Sequence, residues 1–283
     1  MTLLVANLGN SHLRFTCFDE SGRITASVRL RSEGTATADE LAAILQSAFA
    51  MQGMPTALVD VNGVCISSVV PSQNRAVREF FARYLPYAGE PLWITAAAPT
   101  DMPVHYAPPE SLGADRFVNA YAARALYGFP TIVVDFGTAT TFEAIDAGGA
   151  YRGGAILPGI GMGRDALAQR AAQLRRIDLD EVGDTVSAIG ANTNDALLSG
   201  VLLGAVAQTE GLIAHFTAEL GATAPPVIAT GGFAATVARH TAAITTVDPD
   251  LTPKGLRLLY HHLRRGEGES RGRGYLDSGS PSP

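Results

Sequence analysis

A group of residues that could bind phosphate lies near the middle of the chain, where Asp135, Gly137 and Thr138 separate two apolar runs. Each run alternates as strands do, so residues 131–146 predict a strand, a tight turn and a second strand. Glycine permits backbone angles that other residues avoid, so we expect successive N–H groups of this turn to converge on an anion, with threonine hydroxyls as further donors. An ordinary hairpin with a Gly-Thr turn is the alternative interpretation.

The same pattern stands in residues 3–19, where Asn7 takes the place of Asp135 and Gly9 that of Gly137. Two such units predict a duplicated fold with a nucleotide held between two domains. The arrangement resembles the superfamily of sugar kinases, Hsp70 and actin.

A candidate catalytic acid, Asp115, stands with Arg116 just before residues 117–126, whose apolar spacing predicts a helix. Ordinary helix-start chemistry is the alternative, since an acid is favourable near a helix N-terminus and an arginine there can face solvent.

Composition excludes several classes of function. The chain has 283 residues, 47% of them hydrophobic and 17% charged, which fits a soluble globular protein of two domains. A net charge of −6 argues against a nucleic-acid or membrane partner. Lys254 is the only lysine and lies outside any G-x-x-x-x-G-K-[ST] pattern, which excludes a P-loop kinase.

Two features of the sequence indicate the cellular location: its cysteines, and its lack of a leader or a long apolar run. Cys17 and Cys65 lie in apolar runs without metal-ligand spacing, so we expect buried free thiols. We find no basic leader and no run that approaches 18 apolar residues, so we expect a cytoplasmic protein without a membrane span.

The remaining pattern alternates strands and helices. Strands are predicted over 23–30, 63–71 and 92–94, with another from residue 227 that ends in Gly231 and Gly232. Helices are predicted over 38–52, 73–85, 166–176, 196–220 and 252–264. The glycine-rich segment 153–163 predicts close approach to a ligand or to another chain, and the glycines of helix 196–220 predict tight helix packing, within the chain or across a dimer.

Six short motifs stand in the order typical of type III pantothenate kinases, the Bvg accessory factor-like family, which the chain resembles from Leu3 to about Tyr260. They occupy residues 7–11, 109–116, 135–141, 153–159, 192–200 and 230–232. The resemblance implies an α/β protein with a duplicated ribonuclease H-like (actin-like ATPase) fold and a nucleotide cleft between two domains. We place these domains at 1–112 and 113–265, followed by a disordered tail, 266–283.

The activity implied by the resemblance is ATP-dependent phosphorylation of pantothenate to 4'-phosphopantothenate, the first step of coenzyme A biosynthesis. Asp115 is implied as the general base and Asp135 as the acid near the phosphates that helps to hold a monovalent cation. The residues implied for ATP and its phosphates are Asn7, Gly9, Asn10, Ser11, His12, Gly137, Thr138, Gly231 and Gly232. Those implied for pantothenate are Tyr106, Gly113, Ala114, Arg116 and, from a neighbouring subunit, Thr193. Mg²⁺, a monovalent cation (K⁺ or NH₄⁺) and a homodimer are also implied.

One position departs from the family pattern, because Asn7 replaces the aspartate that begins the first motif. Ser11 in place of threonine keeps the hydroxyl. A carboxylate holds Mg²⁺ better than a neutral amide does, so we expect weaker metal binding at Asn7. Two hypotheses follow: a working kinase, or a catalytically weak or silent paralogue that binds a ligand or partner.

Overall fold

The structure is a computed structural model that describes residues 2–32, 37–170, 177–179 and 182–276. By packing, the chain divides into two compact units, each assembled from separate stretches. The first takes the described residues of Met1–Asp101, Glu110–Val118 and Thr252–Pro283, and the second those of Met102–Pro109 and Asn119–Leu251. The contiguous domains 1–112 and 113–265 stay a prediction.

The described elements alternate in the order expected for an α/β protein. They are β1 (Thr2–Leu8), β2 (His12–Phe18), β3 (Ile24–Arg31), α1 (Ala38–Met51), β4 (Val61–Ser68), α2 (Pro71–Tyr84), β5 (Leu92–Ile94), α3 (Ala114–Tyr127), β6 (Thr131–Phe136), β7 (Ala139–Ile145), β8 (Tyr151–Pro158), α4 (Ile160–Arg170), α5 (Thr193–Leu198), α6 (Gly204–Glu219), β9 (Val227–Thr230), α7 (Ala234–Ala238), β10 (Thr246–Val247) and α8 (Leu251–Leu276).

The first unit is built on a five-stranded sheet in the order β3-β2-β1-β4-β5. β1 pairs antiparallel with β2 and parallel with β4, so the N-terminal hairpin lies beside a parallel strand. Helices α1 and α2 cover one face and bury Leu41, Phe49 and Phe80 against it. A capping box between Thr37 and Glu40 fixes where α1 begins. Each such buried side chain stabilises the fold by roughly 1.5–3 kcal/mol.

The second unit repeats this arrangement with a five-stranded sheet in the order β10-β9-β6-β7-β8. β6 pairs antiparallel with β7 and parallel with β9, as β1 does with β2 and β4. One side of α6 packs on the sheet, where Val206 and Ile213 join the core around Phe142, and Leu202 just before α6 joins the same core. The predicted duplication of strand, turn and strand is therefore confirmed.

Several predicted helices have different bounds in the structure; α3, for example, begins at Ala114 instead of residue 117. α4 begins at Ile160, directly after β8 and Gly159, and residues 171–176 of its predicted range lie outside the described residues. Asn192 caps α5 by accepting a hydrogen bond from the Asp195 N–H at 3.0 Å, so the helix begins at Thr193. α8 is described as far as Leu276, past its predicted end, and residues 277–283 lie outside the described residues.

The predicted helix 196–220 is not uniform, because a π-helical turn, Ser199–Leu203, joins α5 to α6. Among the described residues, the continuous run Thr193–Glu219 is long and apolar enough to cross a membrane by length and composition, with a mean hydropathy of 1.5. The run is interrupted by polar residues such as Asp195, Gln208 and Glu210, so it is not an unbroken apolar run of the kind considered in the sequence analysis. One side of the run packs against the sheet of the second unit through Leu202, Val206 and Ile213, while only 22% of its most apolar window is buried.

Both cysteines are buried and free, as predicted. Burial raises the pKa of the Cys17 thiol to about 12 and also raises that of Cys65, so both stay protonated at neutral pH.

Candidate active site

The turn of the second unit holds the carboxylate of Asp135 in a defined orientation. Asp135 lies near the end of β6 and is half-buried, and its Oδ2 accepts a hydrogen bond from Asn119 Nδ2 at 3.0 Å. Asn119 lies in α3 and is only 1% exposed. The sequence motifs did not identify Asn119, because the contact joins a helix to a strand that follows it in the chain.

Two glycines lie against the other oxygen of this carboxylate. A Cβ on Gly231 would lie 2.5 Å from Asp135 Oδ1 and 2.6 Å from the Phe136 carbonyl, and Gly231 has a φ of +91°. A Cβ on Gly137 would lie 3.4 Å from the same Oδ1. A Cβ on Gly232, in contrast, would meet no atom of the described residues within 4 Å. Gly231 is therefore required by the packing around Asp135, whereas Gly232 leaves open space.

A third glycine, Gly159, packs against the backbone of this turn. A Cβ on Gly159 would overlap the Thr138 carbonyl oxygen, so only glycine fits between β8 and this turn. The glycine-rich segment 153–163 was predicted to approach a ligand or another chain, and at Gly159 it approaches its own chain instead. Thr138 itself is exposed, with its hydroxyl at the surface of the turn.

The backbone of both turns differs from the prediction. The N–H of Gly137 donates to the Ala139 carbonyl at 3.1 Å, and the N–H of Gly9 donates to the His12 carbonyl at 3.0 Å. Neither glycine has a positive φ. The expectation that unusual angles at Gly137 direct its N–H toward an anion is therefore wrong. Glycine supplies room at these two positions rather than a special backbone angle.

The turn of the first unit is built around Asn7. Its Oδ1 accepts a hydrogen bond from Ser67 Oγ of β4 at 2.7 Å. Asn10, Ser11 and His12 follow and are exposed. The first unit thus places a neutral amide, held by a hydroxyl, beneath an exposed polar turn.

Positive charge surrounds this first turn. Arg14 lies opposite Asn7 in the strand register, and Arg31 lies opposite His12. Directly opposed residues of an antiparallel pair share one face of the sheet. The pKa of His12 is lowered by burial first and then by the charges of Arg29 and Arg31. The electrostatic field at this turn therefore favours an anion. The arginines responsible are identified by the strand register and not by any single motif.

Asp115 lies in the first turn of α3, as predicted. Its Oδ1 accepts a hydrogen bond from the Arg116 N–H at 2.8 Å, which favours the ionised carboxylate. Burial outweighs this contact and raises the pKa of Asp115 above its ordinary value. A Cβ on Gly113 would lie 2.9 Å from that same oxygen, so glycine makes room for the acid. A desolvated carboxylate with a raised pKa is suited to accept a proton.

The residues implied for pantothenate fall into three places. Gly113, the buried Ala114 and the buried Arg116 adjoin Asp115 in the first unit. Tyr106 belongs to the second unit, where its ring centroid lies 6.1 Å from that of Tyr151. Thr193 is exposed at the first residue of α5.

The described part of the chain contains no group of three His, Cys, Asp or Glu side chains that could hold a metal ion. A protein-only cage is not needed for Mg²⁺, which is usually held by one or two carboxylates together with substrate phosphates and water. Asp135 therefore fits a divalent ion that arrives with a nucleotide.

The repeated sheet order and the two polar turns define the duplicated ribonuclease H-like fold of actin-like ATPases and sugar kinases. Solved structures share it at low identity. A conserved putative Baf family transcriptional activator from Campylobacter jejuni matches with a TM-score of 0.57 and 19% identity, over 93% of this chain and 99% of that one. The (R)-2-hydroxyglutaryl-CoA dehydratase component A of Acidaminococcus fermentans matches with a TM-score of 0.53 and 14% identity, over 93% and 97%.

The chain belongs to the type III pantothenate kinase family, whose model matches residues 3–215. The type III pantothenate kinase of Roseiflexus sp. (strain RS-1) is 43% identical over 262 residues, which cover 93% of this chain and 99% of the relative. That of Rubrobacter xylanophilus is 41% identical over 265 residues, which cover 91% and 97%. The predicted family and fold class are confirmed, and membership of a kinase family implies ATP and a divalent metal.

Proposed function

We propose that this protein transfers the γ-phosphoryl group of ATP to the primary hydroxyl of pantothenate and thus forms 4'-phosphopantothenate, the first step of coenzyme A biosynthesis. The observation that carries the proposal is Asp115, a carboxylate whose pKa is raised by burial at the start of α3. Because the chain belongs to this family, we assign this carboxylate as the general base that takes the proton of the alcohol.

The reaction breaks the bond from the γ-phosphorus to the β,γ-bridging oxygen and forms a bond from that phosphorus to the pantothenate oxygen. Asp115 takes the hydroxyl proton. Arg116 is the cation among the substrate residues, and we assign it to the pantothenate carboxylate. Gly113, Ala114 and Tyr106 are assigned to the same substrate. Phosphoryl transfer depends mainly on alignment and on neutralising charge, so these residues act chiefly by position.

We assign phosphate binding to residues of both turns. Asn7, Gly9, Asn10, Ser11 and His12 form the first, which lies in a positive field. Gly137 and Thr138 form the second, and Gly231 and Gly232 lie on the adenosine side. Mg²⁺, when bound with the nucleotide, neutralises charge on the transferred group. We assign Asp135 to the cation side, including a monovalent K⁺ or NH₄⁺.

We also propose a homodimer formed through the glycine-rich face of the π-helical turn and α6. A Cβ on Gly200, Gly204 or Gly211 would meet nothing within 4 Å in the described chain, so packing inside one copy does not require these glycines. Only 22% of the most apolar window of Thr193–Glu219 is buried. Gly200 and Val201 help to line a cavity of about 450 Å³ together with Leu157 and Ile160. Ile156 and Met162, in the same segment as Leu157 and Ile160, are 63% and 51% exposed. A second copy would cover this apolar surface and bring Thr193 to its partner's substrate.

Light scattering tests the assembly directly. The wild type should be a dimer at micromolar concentration, and Gly204→Leu should shift it toward monomer, because the added side chain blocks close helix approach. The control is Ser47→Leu, which adds the same apolar side chain at an exposed position of α1 and should stay dimeric. A monomeric wild type would overturn this part of the proposal.

The location we propose is the cytoplasm, where ATP is available and free thiols such as Cys17 and Cys65 stay reduced.

Turnover is tested by incubating the protein with ATP, Mg²⁺, K⁺ and pantothenate, then measuring ADP and identifying the phosphorylated product by mass spectrometry. We expect stoichiometric ADP and 4'-phosphopantothenate, with faster turnover in K⁺ or NH₄⁺ than in Na⁺. Absence of product with a folded protein that binds ATP would overturn the proposed activity.

A further inference from the structure

The contact between Asn119 of α3 and Asp135 of β6 holds one oxygen of the acid that precedes the second turn. Asn119 is almost fully buried, and it donates to Asp135 Oδ2 at 3.0 Å. A buried amide is costly to place unless it is hydrogen-bonded, and a charge-assisted bond to a carboxylate is among the stronger ones. Because α3 carries Asn119 on its rigid backbone, the donor is fixed before any ligand binds.

The opposite oxygen of Asp135 is closely bordered by the backbone of two glycines. Gly231 lies against Oδ1 so closely that a Cβ there would stand 2.5 Å from it, and Gly137 borders the same atom. The terminal torsion of an aspartate is soft, so contacts of this kind decide which way its carboxylate plane faces. Asn119 on one side and the two glycines on the other therefore select one orientation.

We infer that Asn119 is a positioning residue for the reaction: it holds Oδ2 so that Asp135 presents Oδ1 toward the turn that contains Thr138. The inference rests on the proposed function, in which Asp135 serves the cation that accompanies the nucleotide. An amide is well suited, because it donates without adding charge. A carboxylate at residue 119 would repel Asp135, and alanine would leave Oδ2 without this donor.

The test compares Asn119→Ala and Asn119→Asp with Thr131→Val, a matched control. Thr131 is fully buried on the same strand as Asp135, and its hydroxyl donates to the Pro226 carbonyl at 3.0 Å, so its loss removes a buried hydrogen bond away from the turn. For each variant we would measure thermal unfolding, turnover, and the Kd of Mg²⁺ with a non-hydrolysable ATP analogue by calorimetry.

Loss of an outer residue that orients a metal-associated ligand typically costs about 10–100-fold. We therefore expect Asn119→Ala to lower kcat and to weaken the analogue Kd in this range, and Asn119→Asp to lower both further. Thr131→Val should lose stability while kcat and Kd stay within about twofold. In an Asp135→Asn background, Asn119→Ala should add little, because the two residues act as a unit.

Two results would overturn the inference: an analogue Kd unchanged by Asn119→Ala, or single and double variants whose losses simply multiply. Asn119→Ser, which keeps a smaller donor, serves as a second variant if the alanine fails to fold, and the same unchanged Kd would count against the inference. A wild type without turnover would contradict the proposed function alone, since the Kd comparison still tests Asn119.

Discussion

The two turns occupy equivalent places in two equivalent sheets, yet they hold their central polar side chain differently. In the first, the amide of Asn7 is held by a hydroxyl from the neighbouring parallel strand. In the second, the carboxylate of Asp135 is held by an amide from a helix. The directly opposed neighbours are Arg14 and Ser67 for Asn7, and Thr141 and Thr230 for Asp135.

This difference shows how one duplicated hairpin serves two electrostatic tasks. The first turn combines a neutral amide with nearby arginines, so its field favours the anionic phosphates. The second turn keeps an ionisable acid oriented by neutral groups, so it favours a cation. The replacement of aspartate by Asn7 thus increases the contrast between the turns while it preserves the hydrogen bond to Ser67.

Among changes at the two turns, the largest effect should come from making the second turn neutral like the first. Asp135→Asn removes the only carboxylate that we assign to the cation, and loss of one such electrostatic group typically lowers kcat about 10²–10³-fold. Steady-state kinetics at varied Mg²⁺ and K⁺ would measure it. Asp146→Asn, at the far end of the same hairpin, is the control and should stay near the wild-type rate. Equal losses in both variants would contradict the special role of Asp135.

A second experiment separates the two glycines beside that acid. Gly231→Ala should destabilise the fold by roughly 1–3 kcal/mol, because alanine is strained at a φ of +91° and its Cβ crowds Asp135. Gly232→Ala meets open space and should change unfolding little, so any effect should appear in the KM for ATP. Chemical denaturation and ATP saturation curves measure both. Equal destabilisation by the two alanines would show that the packing around Asp135 is misassigned.

Making the first turn acidic like the second tests whether the amide of Asn7 weakens the use of Mg²⁺. Asn7→Asp should keep the hydrogen bond from Ser67 and lower the Mg²⁺ requirement, with up to about tenfold higher activity, which corresponds to about 1.4 kcal/mol of transition-state stabilisation. The measurement is turnover against Mg²⁺ concentration. If the wild type already works at low Mg²⁺ and the aspartate adds nothing, the amide is not a handicap.

The smallest effect concerns stability against pH. Burial raises the pKa of Asp115, so its protonated form stabilises the fold and this contribution is lost as pH rises through the folded-state pKa. Asp115→Asn should therefore raise Tm slightly at pH 7, with a difference that vanishes at acid pH below the ordinary aspartate pKa of about 4. Thermal unfolding between pH 4 and 8 measures the trend. A Tm difference that grows toward acid pH would contradict the sign.

Local patterns in the sequence were sufficient for the hairpins, the start of α3 and the duplication, because alternation and capping act over neighbouring residues. The contacts that orient the site join distant residues: Ser67 to Asn7, Asn119 to Asp135, and Gly159 to Thr138. They depend on sheet order and helix placement, which no short spacing encodes.

The glycines illustrate the same limit. Their positions were evident from the sequence, but the reason expected for Gly137 was a special backbone angle, and the structure shows a need for room instead. Steric room depends on which atoms lie nearby, so it becomes visible only once the strands are assembled.

The most direct test of the account is the rate of ADP release with pantothenate in Asp115→Asn, compared with Asp60→Asn, an exposed acid of the same unit. A general base typically contributes about 10²–10⁴-fold, so the account predicts a loss in this range for Asp115→Asn, with a folded protein and an unchanged Kd for ATP. Asp60→Asn should match the wild type. A rate for Asp115→Asn within a few fold of the wild type would show that Asp115 is not the general base.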